Sequence, residues 1–281
     1  MVYLWIVTVL WAFSFSFIGV YLSGQVDSYF MVLMRLVLAA VAFLPFVLRA
    51  RVEAKLALQL MGIGAVQLGM MYLFYYNSFL LLSVPEVLLF TIFTPLYVTL
   101  MHDLAARRFS PVYLGTALLT VIGTAVIRWG GLTNDYWIGF LVVQGANLCF
   151  AFGQVAYKRV FAERPSLPQY QTFGYFFIGA SIVALVAYGL LGEAKYPTTG
   201  LQWGLLVWLG LGASGLGYYL WNYGASQVNA GTLAVMNNAL VPAGLLVNLL
   251  IWNREVDFVR LLAGGVLIVG ALMISLKRSN E

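Results

Sequence analysis

Charged side chains are scarce in this chain: Asp, Glu, Lys and Arg make up only 9% of its 281 residues, whereas hydrophobic residues make up 62%. A soluble domain contains about 25% charged and about 45–50% apolar residues. Lipid is therefore the expected solvent for most of the surface. In lipid every backbone polar group needs an internal partner, which leaves helices or a closed barrel. Because the apolar runs are long and unbroken, the sequence predicts an all-α integral membrane protein.

Residues that carry enzyme or metal chemistry are equally scarce. The chain has one histidine and one cysteine, so no Cys/His cluster offers a metal site. No Gly-x-x-x-x-Gly-Lys loop is present to hold a nucleotide phosphate, which argues against ATP-driven pumping. His102 beside Asp103 is interpreted as a solvated helix end, and Cys149 as a packing residue. We expect no enzyme activity, no cofactor and no metal.

The apolar runs predict ten transmembrane helices of about 20 residues each. The predicted spans are 3–22, 28–49, 56–79, 84–102, 110–128, 135–159, 170–191, 202–224, 231–252 and 258–276. The first lacks a preceding basic region, so we expect a retained helix and not a cleaved signal.

Lys and Arg in the loops predict the orientation, because basic residues accumulate on the cytoplasmic side. With the N-terminus in the cytoplasm, ten of these residues lie inside: Arg49, Arg51, Lys55, Arg107, Arg108, Lys158, Arg159, Arg164, Lys277 and Arg278. Four lie outside: Arg128, Lys195, Arg254 and Arg260. Both termini are therefore expected to be cytoplasmic. The net charge of +5 reflects this topology, and no nucleic-acid partner is expected.

One stretch of sequence occurs twice. GIGAVQLG at 62–69 returns as GLGASGLG at 210–217, an offset of 148, and Pro95 returns as Pro242 at an offset of 147. This predicts two five-helix repeats, 1–128 and 135–276, followed by a tail at 277–281. Because five is odd, the second repeat is inverted relative to the first. Such inverted repeats support alternating access around a central site, whereas an ancestral relic in a scaffold leaves the buried polar residues unexplained.

Polar residues recur along one face of the sixth predicted helix, at Gln144, Asn147, Gln154 and Lys158. Such residues are costly in a membrane and tend to be functional. They either line a cavity or join helices by hydrogen bonds, and Lys158 is interpreted as an anchor at the cytoplasmic end.

The ninth predicted helix carries Asn237, Asn238 and Asn248 around Pro242. Pro242 and Pro95 each remove a backbone donor and free a carbonyl in equivalent helices. Paired broken helices point to a binding site or hinge, although a static kink remains the alternative.

Aromatic residues cluster on the third and eighth predicted helices. These helices carry Tyr72, Tyr75, Tyr76, Ser214, Tyr218, Asn222 and Tyr223. Aromatic walls with a few hydrogen-bonding groups suit a small, partly apolar ligand. A belt of aromatics at the membrane interface is the alternative for any one of them.

Arg35 is the one cation predicted to lie inside the membrane, about one and a half turns into the second helix. A buried guanidinium needs a counter-ion. The candidates are Glu86, at the start of the fourth helix, and the carboxylate of an anionic substrate; snorkelling outwards is a third possibility. Arg128 is the second choice of cation.

The two halves resemble the EamA-type permeases of the drug/metabolite transporter superfamily over essentially the whole chain. Several strings are similar to the bacterial biotin uptake permeases of that superfamily: LWAFSFSF at 10–17, VDSYF at 26–30, EVLLFT at 86–91, WNYGA at 221–225, MNN at 236–238 and PAGLLVN at 242–248. The resemblance implies biotin import across the bacterial inner membrane, without an ATPase subunit, by a protein that we expect to be a monomer. It also implies that helices one, three, four, six, eight and nine line the site.

The candidate substrate-binding residues combine the polar, aromatic and charged groups above with two first-helix residues that the resemblance supplies. They are Trp11, Ser14, Arg35, Tyr72, Tyr75, Glu86, Asn147, Gln154, Tyr218, Asn222, Asn237 and Asn238, with Pro95 and Pro242 as hinge or kink residues. Other functions remain open: export of amino acids or other metabolites, lipid chemistry at the interface, or a scaffold role without transport. The lipid enzyme is disfavoured because the sequence lacks the cluster of His, Asp or Glu that it needs.

Overall fold

The computed structural model describes residues 1–50, 52–107, 109–127, 134–252 and 258–277. Five of the cations used to predict the orientation lie outside the described residues: Arg51, Arg108, Arg128, Arg254 and Arg278. The side chains of Asn248 and Arg260 also lie outside them.

The described residues form helical segments joined by short connections. The segments are α1 (Val2–Leu22), α2 (Ser28–Arg49), α3 (Ala54–Ser78), α4 (Val84–Ala106), α5 (Pro111–Ile127), α6 (Asn134–Ala162), α7 (Gln169–Leu191), α8 (Gly200–Ser226), α9 (Ala230–Trp252) and α10 (Phe258–Lys277). Helix accounts for 86% of the structure, and the described residues contain no strand. Eight segments are long and apolar enough to cross a membrane. The all-helical membrane prediction is confirmed, while the count of ten spans stays a prediction because α5 and α10 are not among the eight.

Side-chain caps fix where several helices begin. The carboxylate of Asp27 accepts a hydrogen bond of 2.6 Å from the backbone N–H of Phe30 and starts α2. At α4, Ser83 and Glu86 form a capping box in which the Glu86 carboxylate accepts from the backbone N–H of Ser83 at 2.7 Å. Such caps satisfy backbone donors that the first turn of a helix leaves free. Glu86 therefore has a local structural partner at the end of its own helix.

The packing of the helices repeats between the two halves of the chain. The segments α2, α4 and α5 each pack against the segment five positions later, α7, α9 and α10. The contact of α2 with α8 is matched by that of α7 with α3, and the contact of α1 with α9 by that of α6 with α4. The pattern thus maps onto itself when the halves are exchanged, as expected for two equivalent units.

The repeated glycine strings adopt the same unusual backbone in both halves. Residues Ala65–Met70 of α3 and Leu209–Leu216 of α8 form π-helix, in which each turn is wider than in an α-helix. Single π turns inside α-helices are frequent at functional sites. The two π segments overlap when the halves are aligned by the repeat, so the glycine-rich string is compatible with this distortion in both halves; a further π segment, Ile18–Leu22, ends α1.

The two repeated prolines behave differently. A 3-10 turn at Thr91–Phe93 interrupts α4 just before Pro95, and the backbone N–H of Thr94 donates to the carbonyl of Thr91. By contrast, α9 continues as an α-helix through Pro242. The structure therefore shows one broken helix at this pair of positions, where the sequence suggested two.

Glycine permits a close crossing of α3 and α7. A methyl group on Gly64 would lie 1.9 Å from the carbonyl oxygen of Phe176, and one on Gly179 would lie 2.0 Å from the carbonyl oxygen of Met61. Real Cβ atoms do not approach so closely, so only glycine fits at either position. Small residues at such crossings let helix backbones pack tightly inside a membrane.

Replacing Gly64 with alanine should therefore destabilise the protein, because overpacking a tight contact costs about 1–3 kcal/mol. Gly62 provides a matched control in the same string, since a methyl group there meets nothing within 4 Å. We expect Gly64→Ala to lower the melting temperature in detergent and Gly62→Ala to leave it unchanged or raised. Equal melting temperatures for the two variants would contradict the close crossing.

Candidate substrate cavity

A cavity lies between the two halves of the molecule, lined by residues of α1, α2, α3, α4, α6, α8 and α9. Its aromatic wall consists of Trp11, Phe15, Tyr72, Tyr75, Phe150, Tyr218 and Trp221. Its polar and charged lining consists of Ser14, Arg35, Thr91, Thr94, Asn147 and Asn237, and its remaining lining of Met71, Val143, Ala146 and Leu240. An aromatic wall with a few polar groups and one cation is typical of sites for small, partly apolar ligands.

Arg35 brings a buried positive charge to the cavity. Its side chain is 1% exposed and donates three hydrogen bonds: from Nε to the Ser214 hydroxyl at 2.9 Å, from Nη2 to the Tyr72 hydroxyl at 2.8 Å, and from Nη1 to the Tyr76 hydroxyl. The Tyr72 and Ser214 hydroxyls also hydrogen-bond each other at 2.9 Å. The Cζ atom of Arg35 lies 4.5 Å from the centre of the Tyr72 ring, a cation–π contact. These contacts fix the direction of the guanidinium.

All of these partners are neutral. Among the described residues, no carboxylate lies within ion-pair distance of Arg35. The alternative of an Arg35–Glu86 pair is wrong, because Glu86 caps its own helix and does not line the cavity. Outward snorkelling is also wrong, since the guanidinium is buried. A buried guanidinium without a carboxylate partner makes the cavity attractive to an anion.

Trp11 is the centre of the aromatic wall. Its ring centroid lies 4.7 Å from that of Tyr218, 4.9 Å from that of Trp221 and 5.8 Å from that of Phe150. Its indole Nε1 donates a hydrogen bond of 2.9 Å to the backbone carbonyl of Ala213, within the π-helical part of α8. The distorted segment thus supplies the acceptor that orients the ring. Aromatic faces held in this way can enclose a flat, partly apolar group.

The interrupted turn of α4 is held by amide side chains from two other helices. The backbone carbonyl of Phe90 accepts from Asn147 Nδ2 at 2.8 Å and from Gln144 Nε2 at 3.2 Å. Asn238 Nδ2 donates to the carbonyl of Ile92 at 3.2 Å. Satisfying such carbonyls is essential where water is excluded. The amide face of α6 therefore serves both uses left open by the sequence: it joins helices, and Asn147 also lines the cavity.

A second polar network lies where Asn237 meets the cavity wall. Gln154 Nε2 donates to Asn237 Oδ1 at 3.2 Å, and Gln154 Oε1 accepts from Asn237 Nδ2 at 3.1 Å. The same Gln154 oxygen accepts from Trp221 Nε1 at 3.0 Å. One turn further along α6, Lys158 Nζ donates to the carbonyls of Ala225 at 3.1 Å and of Val228. These bonds tie α6 to α8 and α9 at one end of the cavity.

The structure brings most of the candidate residues together. Eight line the cavity: Trp11, Ser14, Arg35, Tyr72, Tyr75, Asn147, Tyr218 and Asn237. Gln154 and Asn238 are buried behind its wall, and Asn222 Nδ2 donates to the Tyr218 carbonyl of its own helix. Glu86 lies outside the cavity.

Sequence reasoning missed several lining residues. Thr91 and Thr94 flank the break next to Pro95, and Trp221 precedes Asn222, so proximity to the selected residues was the available signal. Phe150 carried no signal beyond its position on the sixth helix, because one apolar residue there looks like another.

Known proteins share both the sequence and the fold. A model of the EamA-like transporter family matches residues 137–276. A Pseudomonas aeruginosa protein named "Probable biotin transporter" is 54% identical over 275 residues, which cover 97% of this chain and 96% of that protein. An Escherichia coli K12 protein named "Biotin transporter" is 51% identical over 275 residues, covering 97% and 91%.

A solved crystal structure superimposes with a TM-score of 0.79 at 18% identity, covering 100% of this chain and 98% of that chain, and shows the same fold. The named relatives are transporters, so the expectation of a transporter and not an enzyme is confirmed. This chain is a multi-span membrane protein that belongs to the EamA-like transporter family.

Proposed function

We propose that this chain is a secondary transporter that imports biotin across the bacterial inner membrane by alternating access of two inverted five-helix halves. The observation that carries the proposal is the buried Arg35 guanidinium, which faces an aromatic cavity and has only neutral partners among the described residues. The names of relatives at 54% and 51% identity support the choice of biotin.

The chemistry of biotin matches the lining of the cavity. Biotin has a carboxylate tail, an apolar thioether ring and a ureido ring with N–H donors and a carbonyl acceptor. Arg35 meets the carboxylate, and the rings around Trp11 enclose the bicyclic head. Asn147 Oδ1 accepts no hydrogen bond from any described residue, so it is free to accept one from a ureido N–H. The hydroxyl of Ser14, which also lines the cavity, is a further candidate partner for the head.

Alternating access rests on the repeated packing of the two halves and on their unequal conformations. In the proposed cycle, the network of Gln154, Asn237 and Trp221 is the inner gate, because its bonds join α6, α8 and α9 at one end of the cavity. In the orientation that the loop charges favour, with both termini in the cytoplasm, this end faces inwards. Import then requires these bonds to break while the outer end closes. The cycle needs one chain only, so we propose a monomer.

Purified protein should bind radiolabelled biotin, and unlabelled biotin should displace it. An exporter of amino acids with the same fold is the competing function, so aromatic and aliphatic amino acids form the second arm of the competition. We expect no displacement by them at concentrations where biotin displaces the label completely. Displacement of the label by an amino acid but not by biotin would contradict biotin as the substrate and favour amino-acid export.

Arg35 should discriminate between biotin and its uncharged carboxamide. A hydrogen bond to a charged group contributes about 1.5–3 kcal/mol, so wild-type protein should bind biotin at least about tenfold more tightly than the amide. In Arg35→Gln this preference should vanish, because the variant lacks the cation. The comparison is made within each folded variant and does not depend on expression level. If Arg35→Gln still bound biotin more tightly than the amide, Arg35 would not be the group that binds the carboxylate.

Alternating access predicts opposite changes of exposure at the two ends of the protein. In a Cys149→Ala background, we place single cysteines at Ser14, in the cavity, and at Ser226, which accepts a hydrogen bond from Gln169 at the end of α8. Saturating biotin should slow labelling of the cysteine at 14 from outside and speed labelling of the cysteine at 226 in inverted vesicles. Changes of the same sign at both positions would indicate a channel.

A further inference from the structure

A second, basic cleft lies between the last turns of α4 and α6 and shares no lining residue with the substrate cavity. Its lining contains His102, Lys158 and Arg159 beside Val155 and three alanines. Both helices end within a few residues of the cleft, at Ala106 and Ala162. The cleft therefore lies at the boundary between the hydrocarbon layer and water.

The cations of this cleft are not neutralised by carboxylates. Arg159 Nη1 donates to the carbonyl of Ala105 at 2.7 Å, and Lys158 donates to two backbone carbonyls at the end of α8. Within the described ranges, neither cation forms an ion pair. The nearby Asp103 is engaged elsewhere, since its Oδ2 accepts from the backbone N–H of Ser110 at 2.8 Å and its Oδ1 lies 3.6 Å from His102 Nδ1. Both cations thus keep N–H donors for an external anion.

An exposed apolar stripe on α6 leads to this cleft. Leu141, Leu148 and Phe152 on α6 are 67%, 42% and 43% exposed. Val155 lies three residues after Phe152, and Arg159 lies seven residues after it, so both are on the same helix face as the stripe. Val155 is buried, and both residues line the cleft. A face that is apolar along its length and cationic at its end complements a lipid acyl chain joined to an anionic head group.

We propose that this cleft is a binding site for an anionic phospholipid, whose phosphate contacts Lys158 and Arg159 and whose acyl chain lies along the α6 stripe. A phosphate accepts several hydrogen bonds at once, which suits a lysine and an arginine on adjacent residues. The apolar walls and the position at the membrane boundary favour a lipid phosphate over a soluble one. The site does not depend on the identity of the transported substrate.

Native mass spectrometry of the purified full-length protein can test the site with dioleoyl phosphatidylglycerol and, as the neutral comparison, dioleoyl phosphatidylcholine. Wild-type protein should retain phosphatidylglycerol preferentially. Arg159→Gln should weaken its retention about fivefold, because a basic residue near a membrane contributes about 1 kcal/mol to binding an anionic lipid. Arg159→Lys keeps the charge and should retain most of the binding. The matched control is Arg164→Gln, which lies at the same end of the molecule but pairs with Glu163 and should bind as the wild type does.

Three results would overturn the proposal. Equal retention of the two lipids would show that the head group is not recognised, and equal retention by Arg159→Gln and wild type would place the lipid elsewhere. Inorganic phosphate that raises the melting temperature of lipid-free protein as much as phosphatidylglycerol does would assign the cleft to a soluble anion. Melting temperatures of each variant in phosphatidylcholine, compared with wild type, separate loss of the site from loss of the fold.

Discussion

The burial of one positive charge among neutral hydroxyls is the constraint on which the central part of this protein depends. A guanidinium in a dry interior is costly unless its donors are satisfied and its charge is balanced. Here Tyr72, Tyr76 and Ser214 satisfy donors without balancing the charge. These partners come from α3 and α8. The two halves of the chain must therefore pack together before the Arg35 donors find their hydrogen-bond acceptors. Stability of the interface and readiness to bind an anion therefore arise from the same group.

The remaining polar groups follow from a second constraint, the need to satisfy backbone carbonyls in a medium without water. The turn before Pro95 interrupts the regular helix and leaves backbone carbonyls without their helical partners. Side-chain amides of α6 and α9 satisfy two of these carbonyls by donating hydrogen bonds to Phe90 and Ile92. These amides therefore lie next to the cavity, where the Asn147 Oδ1 accepts no hydrogen bond from the described residues. Structural and ligand-binding roles coincide because both need hydrogen-bonding groups at the same depth.

Much of this arrangement was predictable from the sequence, because a polar residue within a membrane span rarely faces lipid. Helix follows from apolar run length, and a polar residue within such a run must face protein, which identified Arg35, Asn147 and Asn237 correctly as inward-facing residues. Local hydrogen bonding is less visible in a sequence. The role of Glu86 depends on a capping box at Ser83, which competes with any long-range pairing. The π segments and the 3-10 turn differ from α-helix only in which backbone carbonyl each N–H contacts. The glycines and Pro95 allow these alternative hydrogen bonds, but the sequence does not show which one forms.

The difference between Pro95 and Pro242 has a consequence for the whole molecule. The two halves share a glycine-rich string and a packing pattern, yet their backbones differ at the matched prolines, one interrupted and one continuous. In the proposed inverted arrangement, two halves of identical conformation would present the same surface to both sides of the bilayer. The difference between α4 and α9 would then distinguish the two sides of the protein. Under the proposed cycle, the opposite-facing state forms when α9 becomes interrupted at Pro242 and α4 becomes continuous at Pro95. Each half then has the conformation that the other half has in this structure.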